Sequence, residues 1–432
     1  MKYQFPHINH INDVLPAIQD SPEFIVAERE HFKVVNYVVA HPETFPEVKS
    51  VGLTNGNITH QGIFESEEAH RAAIRRELRG IIFDKEGNVI ARRLHKFFNV
   101  NERDETQQHL IDLSQPHVIL EKLDGSMITP IPIGDYFRWG TKMGITDVSM
   151  GAEEYVAKHK NYTDFARATF AMGFTPIFEW CSRKQRIVVD YPEDRLVLIA
   201  IRNTVTGAYA SYDVMVANAK AYNLDVVKAY AGTAESMEHL ISETKAVEGA
   251  EGWIIRFNDG HMVKIKGEWY LRIHKTKDNL SQEKNVIELL ISEKVDDAKA
   301  FMLADDRKRV EEFEYKFWHQ VEALAKMFEA YHSTNVAHGI DRKTWALEHM
   351  KSMNESNPFA SSIVFNLYND KPALESIKNL IAKNIGSQTR VDEARILWGN
   401  LHWNYTFDSE QEKVASGFFG HWAEHNHVEK LK

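Results

Sequence analysis

Cysteine is almost absent from this chain, because Cys181 is the one thiol among 432 residues. A lone thiol cannot form an internal disulfide, and it excludes zinc sites built on paired thiolates. Sparse cysteine is also typical of reducing compartments. The sequence therefore predicts a cytoplasmic, intracellular protein in which Cys181 is a small buried core residue.

Long apolar runs are missing as well. No window approaches the run of about 18 apolar residues that a membrane helix needs. The first residues, MKYQFPHINHINDV, hold no continuous apolar segment of the signal-peptide type. We expect a soluble protein with no membrane partner, long enough for two domains of unequal size.

The chain also has no overall excess of positive charge, since 52 Lys and Arg face 62 Asp and Glu, a net charge of −10. Taken alone, this balance argues against nucleic-acid binding. Two local segments are nevertheless basic: residues 71–103 carry nine Lys or Arg against four acids, and residues 256–277 carry six against two. Such runs are often solvated faces, so the neighbouring motifs must decide their meaning.

Short β-branched and aromatic runs, separated by turn signals, fill residues 80–270. GIIFDKEGNVIARRL and SMITPIPIGDYFRWGTK each predict a hairpin, with turns at residues 86–88 and 134–135. TPIFEWC and RLVLIAIRN predict further strands, and GWIIRF with HMVKIK predicts a third hairpin. The pattern indicates an α+β fold of antiparallel sheets with helices packed beside them, and it argues against a parallel Rossmann sheet.

The pattern becomes helical after about Leu280. Apolar residues recur at spacings of three and four, at Val310, Phe313, Phe317, Val321, Leu324 and Phe328. This spacing predicts a long helix with one buried face, within an all-α domain over residues 281–432 that follows a first domain over residues 1–280. Three histidines near the end, His421, His425 and His427, have no acidic or thiol partners at defined spacing, so we interpret them as a polar helix face.

The stretch HVILEKLDGSMITP places Lys122 at the end of an apolar strand, directly before Asp124 and Gly125. Burial at the edge of a sheet disfavours the ammonium form of lysine. Holding a lysine neutral at pH 7 costs roughly 4.6 kcal/mol unless its surroundings lower the pKa. Nearby cations would do so, and Lys264 and Lys266 share one face of a predicted strand. The pattern favours a reactive amine over a surface lysine.

Further charged residues follow Lys122 in a fixed order: Glu179 in FEWCSRKQRIVVDY, Glu251 in EGAEGWIIRF, and Lys264 and Lys266 in VKIKGEWY. This order resembles the nucleotidyl motifs of the covalent nucleotidyltransferase superfamily, which includes RNA ligases, DNA ligases and mRNA capping enzymes. RGIIFD, HKFFNVNE and VKIKGEWYLRIHKTKDNL are similar to stretches of the phage tRNA-repair RNA ligases of the RNA ligase 1 type. The resemblance covers residues 30–280. Of the two Glu-Gly pairs we choose the second, because the apolar strand begins directly after it.

The resemblance implies a role for individual residues. Lys122 would attack the α-phosphate of ATP and carry AMP as a phosphoramidate, while Asp124 and Gly125 would shape the loop, Gly125 admitting the nucleotide. Glu179 would hold the ribose, and Glu251 would place Mg²⁺ or Mn²⁺ through its water shell.

Cationic residues would hold the phosphates. By resemblance, Lys264 and Lys266 contact the α-phosphate, while Arg79, Lys96 and Lys142 of WGTKMG hold the β- and γ-phosphates. Nucleotidyl transfer at phosphorus requires mainly positioning of the reactants and neutralisation of charge, which these residues and a divalent cation would supply. The absence of a G-x-x-x-x-G-K-[ST] loop is no objection, because this class binds ATP in a groove between sheets.

The function implied is ATP-dependent joining of RNA 5′-phosphate and 3′-hydroxyl ends. The implied partners are single-stranded RNA ends or a nicked tRNA anticodon loop, together with an end-healing kinase or phosphatase. DNA ligases and capping enzymes share the motifs, but in them an oligonucleotide-binding barrel follows the last lysine motif, where this chain turns helical. A non-catalytic RNA-end binder is the other alternative, and it predicts loss of site residues that are all present here.

Overall fold

The computed structural model describes residues 4–40, 42–48, 64, 66–232, 234–300, 302 and 304–404. The chain forms two compact units, Met1–Leu271 and Arg272–Thr406. The interpretation of the three C-terminal histidines lies outside the described residues.

The described part of the first unit contains twelve strands. They are β1 (Phe24–Glu28), β2 (Lys33–Tyr37), β3 (Arg79–Phe83), β4 (Val89–Ala91), β5 (Phe98–Asn99), β6 (His117–Lys122), β7 (Ser126–Ile133), β8 (Tyr136–Gly140), β9 (Phe174–Cys181), β10 (Arg195–Asn203), β11 (Gly252–Phe257) and β12 (Met262–Lys266). Sheet A has the order β1-β2-β3-β4, sheet B the order β10-β9-β7-β8, and sheet C the order β5-β12-β11-β6.

Antiparallel pairing dominates these sheets, since β5 and β12 form the one parallel pair among the described strands. The three predicted hairpins are confirmed as β3–β4, β7–β8 and β11–β12. Gly260 turns the last of them with a φ of 95°, a backbone conformation that glycine adopts without a steric cost. The α+β fold class predicted from the sequence is therefore confirmed.

Helices pack beside the sheets of the first unit. They are α1 (Leu15–Ile18), α2 (Glu67–Glu77), α3 (Asp147–Lys158), α4 (Lys160–Ala171), α5 (Tyr212–Ala221) and α6 (Met237–Ala246), followed by α7 (Glu268–Leu280), whose range includes the boundary of the unit. The Ser66 side chain caps α2 by accepting a hydrogen bond from the backbone N–H of Ala69 at 3.1 Å. Cys181 lies in the apolar core that α3, α4 and α5 form with sheet B, as predicted.

The second unit is helical throughout its described residues. Its further helices are α8 (Glu283–Ile291), α9 (Val295–Lys299), α10 (Ala304–Ala337), α11 (Arg342–Glu348), α12 (Met350–Ser356), α13 (Ala360–Leu367), α14 (Ala373–Lys383) and α15 (Gln388–Ala394). The predicted apolar stripe lies on α10 and faces the core of the unit. Across the part of the chain that the structure describes, no helix combines the length and apolar character that crossing a bilayer requires.

Part of the basic segment at residues 71–103 is buried inside the first unit. Arg92 and Arg202 both pair with Glu77, at 2.9 and 2.8 Å, and all three side chains are at most 1% exposed. Arg93 donates to the carbonyl oxygens of Gly80 and Gly140. These buried arginines hold strands and loops together, so the positive surface is smaller than the sequence suggests.

Candidate active site

Three rows of side chains share one face of sheet C. Each row consists of residues that are directly paired across β6, β11 and β12. Row one is Lys122, Gly252 and Lys266, and row two is Leu120, Ile254 and Lys264. Row three is Val118, Arg256 and Met262. Alternate residues of a strand point to the same face, so consecutive rows are ~7 Å apart. The hairpin register thus brings the three motif lysines together.

A cavity of about 280 Å³ lies over this face, and sheet B contributes to its opposite wall. Six residues expected at the site line it: Arg79, Lys122, Gly125, Glu179, Lys264 and Lys266. Apolar residues line it as well, among them Leu120, Met127, Ile199, Ile254 and Met262. The cavity therefore combines charged and apolar lining residues, which suits a ligand with a phosphate and a flat ring.

Glu251 is the counter-charge of two motif lysines. Its carboxylate lies 2.6 Å from Lys122 Nζ and 2.9 Å from Lys266 Nζ, and its side chain is only 4% exposed. The sequence led us to expect a cation closest to Lys122, whereas its ion-pair partner is this carboxylate. A half-buried ammonium needs such a partner because desolvation penalises an unpaired charge. Glu248, the alternative residue, is exposed.

Lys264 is a largely buried lysine that lies among other cations of the site. Burial lowers the pKa of Lys264 to about 7, and the positive charges of Arg79, Lys96, Lys122 and Lys266 add to this effect. The side chain therefore changes its charge near neutral pH, and a phosphate beside it would favour the ammonium form.

Glu179 lies on β9 in the opposite wall and is partly buried. Burial raises the pKa of Glu179 to about 8; Lys122 and Arg79 oppose the shift, while Glu251 and Asp124 add to it. At pH 7 the group is therefore mainly protonated. A protonated carboxyl can both donate and accept hydrogen bonds, which suits the binding of a sugar hydroxyl.

A second cationic cluster surrounds Tyr37, at the end of β2. Lys142 Nζ lies 4.8 Å and Lys96 Nζ 5.4 Å from the centre of the Tyr37 ring, and Arg79 donates a hydrogen bond to the hydroxyl. Burial acts to raise the pKa of Tyr37, but the three cations outweigh it and lower the pKa. The sequence motifs named the cations and missed Tyr37, which lies in an ordinary strand pattern, KVVNY. Three cations around one tyrosine form a ready site for phosphate oxygens.

Asp124 holds the loop after Lys122 in place. Its carboxylate accepts hydrogen bonds from the backbone N–H groups of Val188 and Val189, both at 2.7 Å, and from the Tyr270 hydroxyl at 2.8 Å. It is 4% exposed and so has little capacity left for a ligand.

Gly125 is needed because the chain runs close to β9. A Cβ at this position would collide with the backbone carbonyl oxygen of Trp180. We expected the glycine to admit the nucleotide, and Gly125 does line the cavity, but the tightest neighbour is the protein's own backbone.

Divalent metal binding would depend on the substrate. Among the residues that the structure describes, no group of three or more His, Cys, Asp or Glu side chains could hold a metal ion. Mg²⁺ commonly takes one or two carboxylates together with substrate phosphates and keeps several waters. Glu251 fits this pattern through water, because both of its oxygens already contact lysines.

The antiparallel sheets and the lysine-lined cavity between them agree with the covalent-nucleotidyltransferase fold that the sequence predicts. Residues 77–270 match the family model described as RNA ligase, and residues 277–390 match the model described as T4 RNA ligase 1, C-terminal domain. The chain belongs to the RNA ligase 1 family.

Curated relatives carry related names. A Thermovibrio ammonificans protein named as a candidate RNA ligase is 31% identical over 222 residues, 49% of this chain and 56% of the relative. RNA ligase 1 of bacteriophage TS2126 is 26% identical over 217 residues, 46% of this chain and 51% of the relative. A candidate bifunctional polynucleotide kinase/RNA ligase of the Autographa californica nuclear polyhedrosis virus is 25% identical over 257 residues, 54% of this chain and 35% of the relative. The chain thus spans about half the length of the first two relatives, or less for the third.

Solved structures show more distant likeness. An archaeal ATP-dependent RNA ligase is 12% identical, with a TM-score of 0.43 and coverage of 88% of this chain and 84% of that one. A Naegleria gruberi RNA ligase solved with ATP and Mn is 17% identical, with a TM-score of 0.31 and coverage of 37% and 52%.

Proposed function

We propose that this protein is an ATP-dependent RNA ligase that joins a 5′-phosphate to a 3′-hydroxyl through a covalent lysyl-AMP. The observation that carries the proposal is the face of sheet C on which Lys122, Lys264 and Lys266 converge beside Glu251. Family membership supports the same chemistry.

In the first step the Lys122 amine attacks the α-phosphate of ATP and pyrophosphate leaves. The amine must first lose a proton, and Glu251 Oε2, at 2.6 Å, is placed to accept it. Lys264 and Lys266 face the same cavity and would neutralise charge that develops on the α-phosphate. A bound divalent cation would supply further charge neutralisation. The Tyr37 cluster would hold the β- and γ-phosphates, and Glu179 the ribose.

In the later steps AMP moves from Lys122 to an RNA 5′-phosphate, and a 3′-hydroxyl then attacks this activated end and releases AMP. We propose cleaved tRNA anticodon loops in the cytoplasm as the substrate. The viral relative whose name combines polynucleotide kinase and ligase supports an end-healing kinase or phosphatase as the partner enzyme.

The direct test is incubation with α-labelled ATP and Mg²⁺ or Mn²⁺, followed by a denaturing gel. We expect a labelled band at 49.8 kDa, which disappears when RNA with a 5′-phosphate and a 3′-hydroxyl is added and joined. A DNA ligase would discharge the label onto nicked DNA instead. The helical character of the described second unit favours RNA, because DNA ligases and capping enzymes carry a barrel at this place.

Lys264 should make ATP binding depend on pH. Its pKa of about 7 is depressed, so the ammonium is present below pH 7 and lost above it. Because ATP phosphates favour the charged form, binding should weaken by up to about tenfold per pH unit above 7 and take up one proton at pH 8. Calorimetry in two buffers of different ionisation enthalpy measures both effects. Lys264→Gln should bind weakly at pH 6.5 and take up about one proton fewer than the wild type at pH 8; an unchanged proton uptake would contradict the assignment. Exposed Lys85 provides the control, as Lys85→Gln.

The second unit should matter for joining more than for self-adenylation. A protein ending at Leu280 keeps the whole of α7 and therefore the Tyr270 contact with Asp124. We expect it to form lysyl-AMP but to join a nicked anticodon stem-loop at least tenfold more slowly, because folded RNA is recognised largely by shape and backbone contacts. An unstructured RNA of equal length is the comparison, and equal losses on both substrates would contradict a tRNA-reading role.

A further inference from the structure

Arg256 is a buried cation in the third row of the cavity face. It is 4% exposed, and it lines the cavity together with its strand neighbour Met262. Both terminal nitrogens of its guanidinium are closed off from solvent and make no hydrogen bond within the described residues. Burial lowers the pKa of Arg256, and the hydroxyls of Tyr209 and Tyr212 partly oppose this shift.

Such an arginine is unusual because a buried guanidinium is normally paired. Arg202 and Arg92 show the ordinary solution in this same unit, since each pairs with Glu77 and donates to backbone carbonyl oxygens. An unpaired buried charge destabilises a fold, and a well-packed apolar side chain in its place is often neutral or stabilising. The position of Arg256 therefore suggests a partner that arrives with a ligand.

The positions of the three rows indicate which part of a nucleotide would lie beside Arg256. Row three lies ~13 Å along β11 from row one, where Lys122 and Lys266 would meet the α-phosphate. Between them, Ile254 and Leu120 are the apolar members of the second row, which ends in Lys264, and Ile199 and Met127 line the cavity as well. A flat base fits between these apolar side chains, and its far edge then points toward row three.

We propose that Arg256 selects the nucleobase, by donating a hydrogen bond from its guanidinium to a ring nitrogen of adenine. This inference rests on the proposed ATP-dependent function. A guanidinium has only donors, so it demands an acceptor edge, which adenine offers at N1, N3 and N7. Arg256 is thus a specificity residue and takes no part in the transfer itself.

The test compares Arg256→Met with Arg202→Met, a matched change at a buried but paired arginine. Without nucleotide, Arg256→Met should melt at the wild-type temperature or higher, whereas Arg202→Met should melt well below it. With ATP, Arg256→Met should lose at least tenfold in kcat/KM for self-adenylation, mainly through KM. Wild-type protein should show a similar loss with one of 1-deaza-, 3-deaza- or 7-deaza-ATP, and Arg256→Met should not distinguish that analogue from ATP.

Two results would overturn the inference. One is a melting temperature of Arg256→Met that falls as far as that of Arg202→Met, since Arg256 would then serve the fold. The other is the same ranking of the three analogues and GTP in Arg256→Met as in wild type. If wild-type protein forms no adduct, the proposed function fails, and the rise in melting temperature caused by each nucleotide still decides whether Arg256 reads the base.

Discussion

Lys122→Ala removes the covalent AMP adduct completely and leaves the protein folded. The side chain is 20% exposed at the edge of the cavity, so its truncation opens no sealed core. Glu251 keeps its ion pair with Lys266, and no buried carboxylate is left without a partner. We therefore expect the free energy of unfolding to change by less than about 1 kcal/mol. Labelled ATP with a denaturing gel measures the adduct, and urea unfolding measures the stability.

Two controls make this result specific. The wild-type adduct should be cleaved by acid, because the bond to lysine is a phosphoramidate. Lys85→Ala, at an exposed lysine of the same unit, should label like the wild type. A Lys122→Ala protein that still carries acid-labile AMP would show that another side chain is the nucleophile.

Glu77→Leu costs about 3–5 kcal/mol of folding free energy, the range measured when one member of a buried ion pair is removed. The reason is that Arg92 and Arg202 lose their shared carboxylate while both remain fully buried. Urea unfolding at pH 7 measures the loss. Glu67→Leu, on the same helix, is the matched control; its pair with Arg71 is solvent-exposed, so about 0–1 kcal/mol is expected.

The same change has a pH signature. Burial acts to raise the pKa of Glu77, but the charges of Arg202 and Arg92 outweigh it and lower the pKa. A depressed carboxyl pKa contributes stability that is present above the unfolded value, and this stability is lost as pH falls through the folded value. The gap between wild type and Glu77→Leu should therefore stay constant from pH 8 to 6 and narrow only in acid. An equal loss in Glu67→Leu would contradict this account.

The strand and helix pattern was readable from the sequence because alternation and helical spacing are local signals. The same holds for the convergence of Lys264 and Lys266 on one face, which follows from a spacing of two residues in a strand. The alignment of these two lysines with Lys122 depends on the β11–β12 hairpin and on the pairing of β11 with β6. The order of the motifs in the sequence indicated that the three lysines lie together.

Long-range pairing could not be read in the same way. Arg202 and Glu77 are 125 residues apart, and nothing local distinguishes a structural arginine from one that faces a ligand. Tyr37 precedes the motifs, and Arg256 looks like the polar end of a strand. The environments of these side chains are set by which elements pack together, so their burial emerged only from the fold.

The contact between Asp124 and Tyr270 has a consequence for the order of synthesis. These two residues are separated by 146 positions. The loop beside Lys122 therefore leaves the ribosome long before Tyr270, its hydrogen-bond donor, is synthesised. At translation rates of roughly 5–20 residues per second, the delay is about 7–30 s. During that interval the nascent strand β6 also lacks its neighbour β11. Assembly of the nucleotide groove is therefore a late event in biogenesis, and fragments that stop before Tyr270 contain every residue up to the last lysine motif yet lack this hydrogen bond to Asp124.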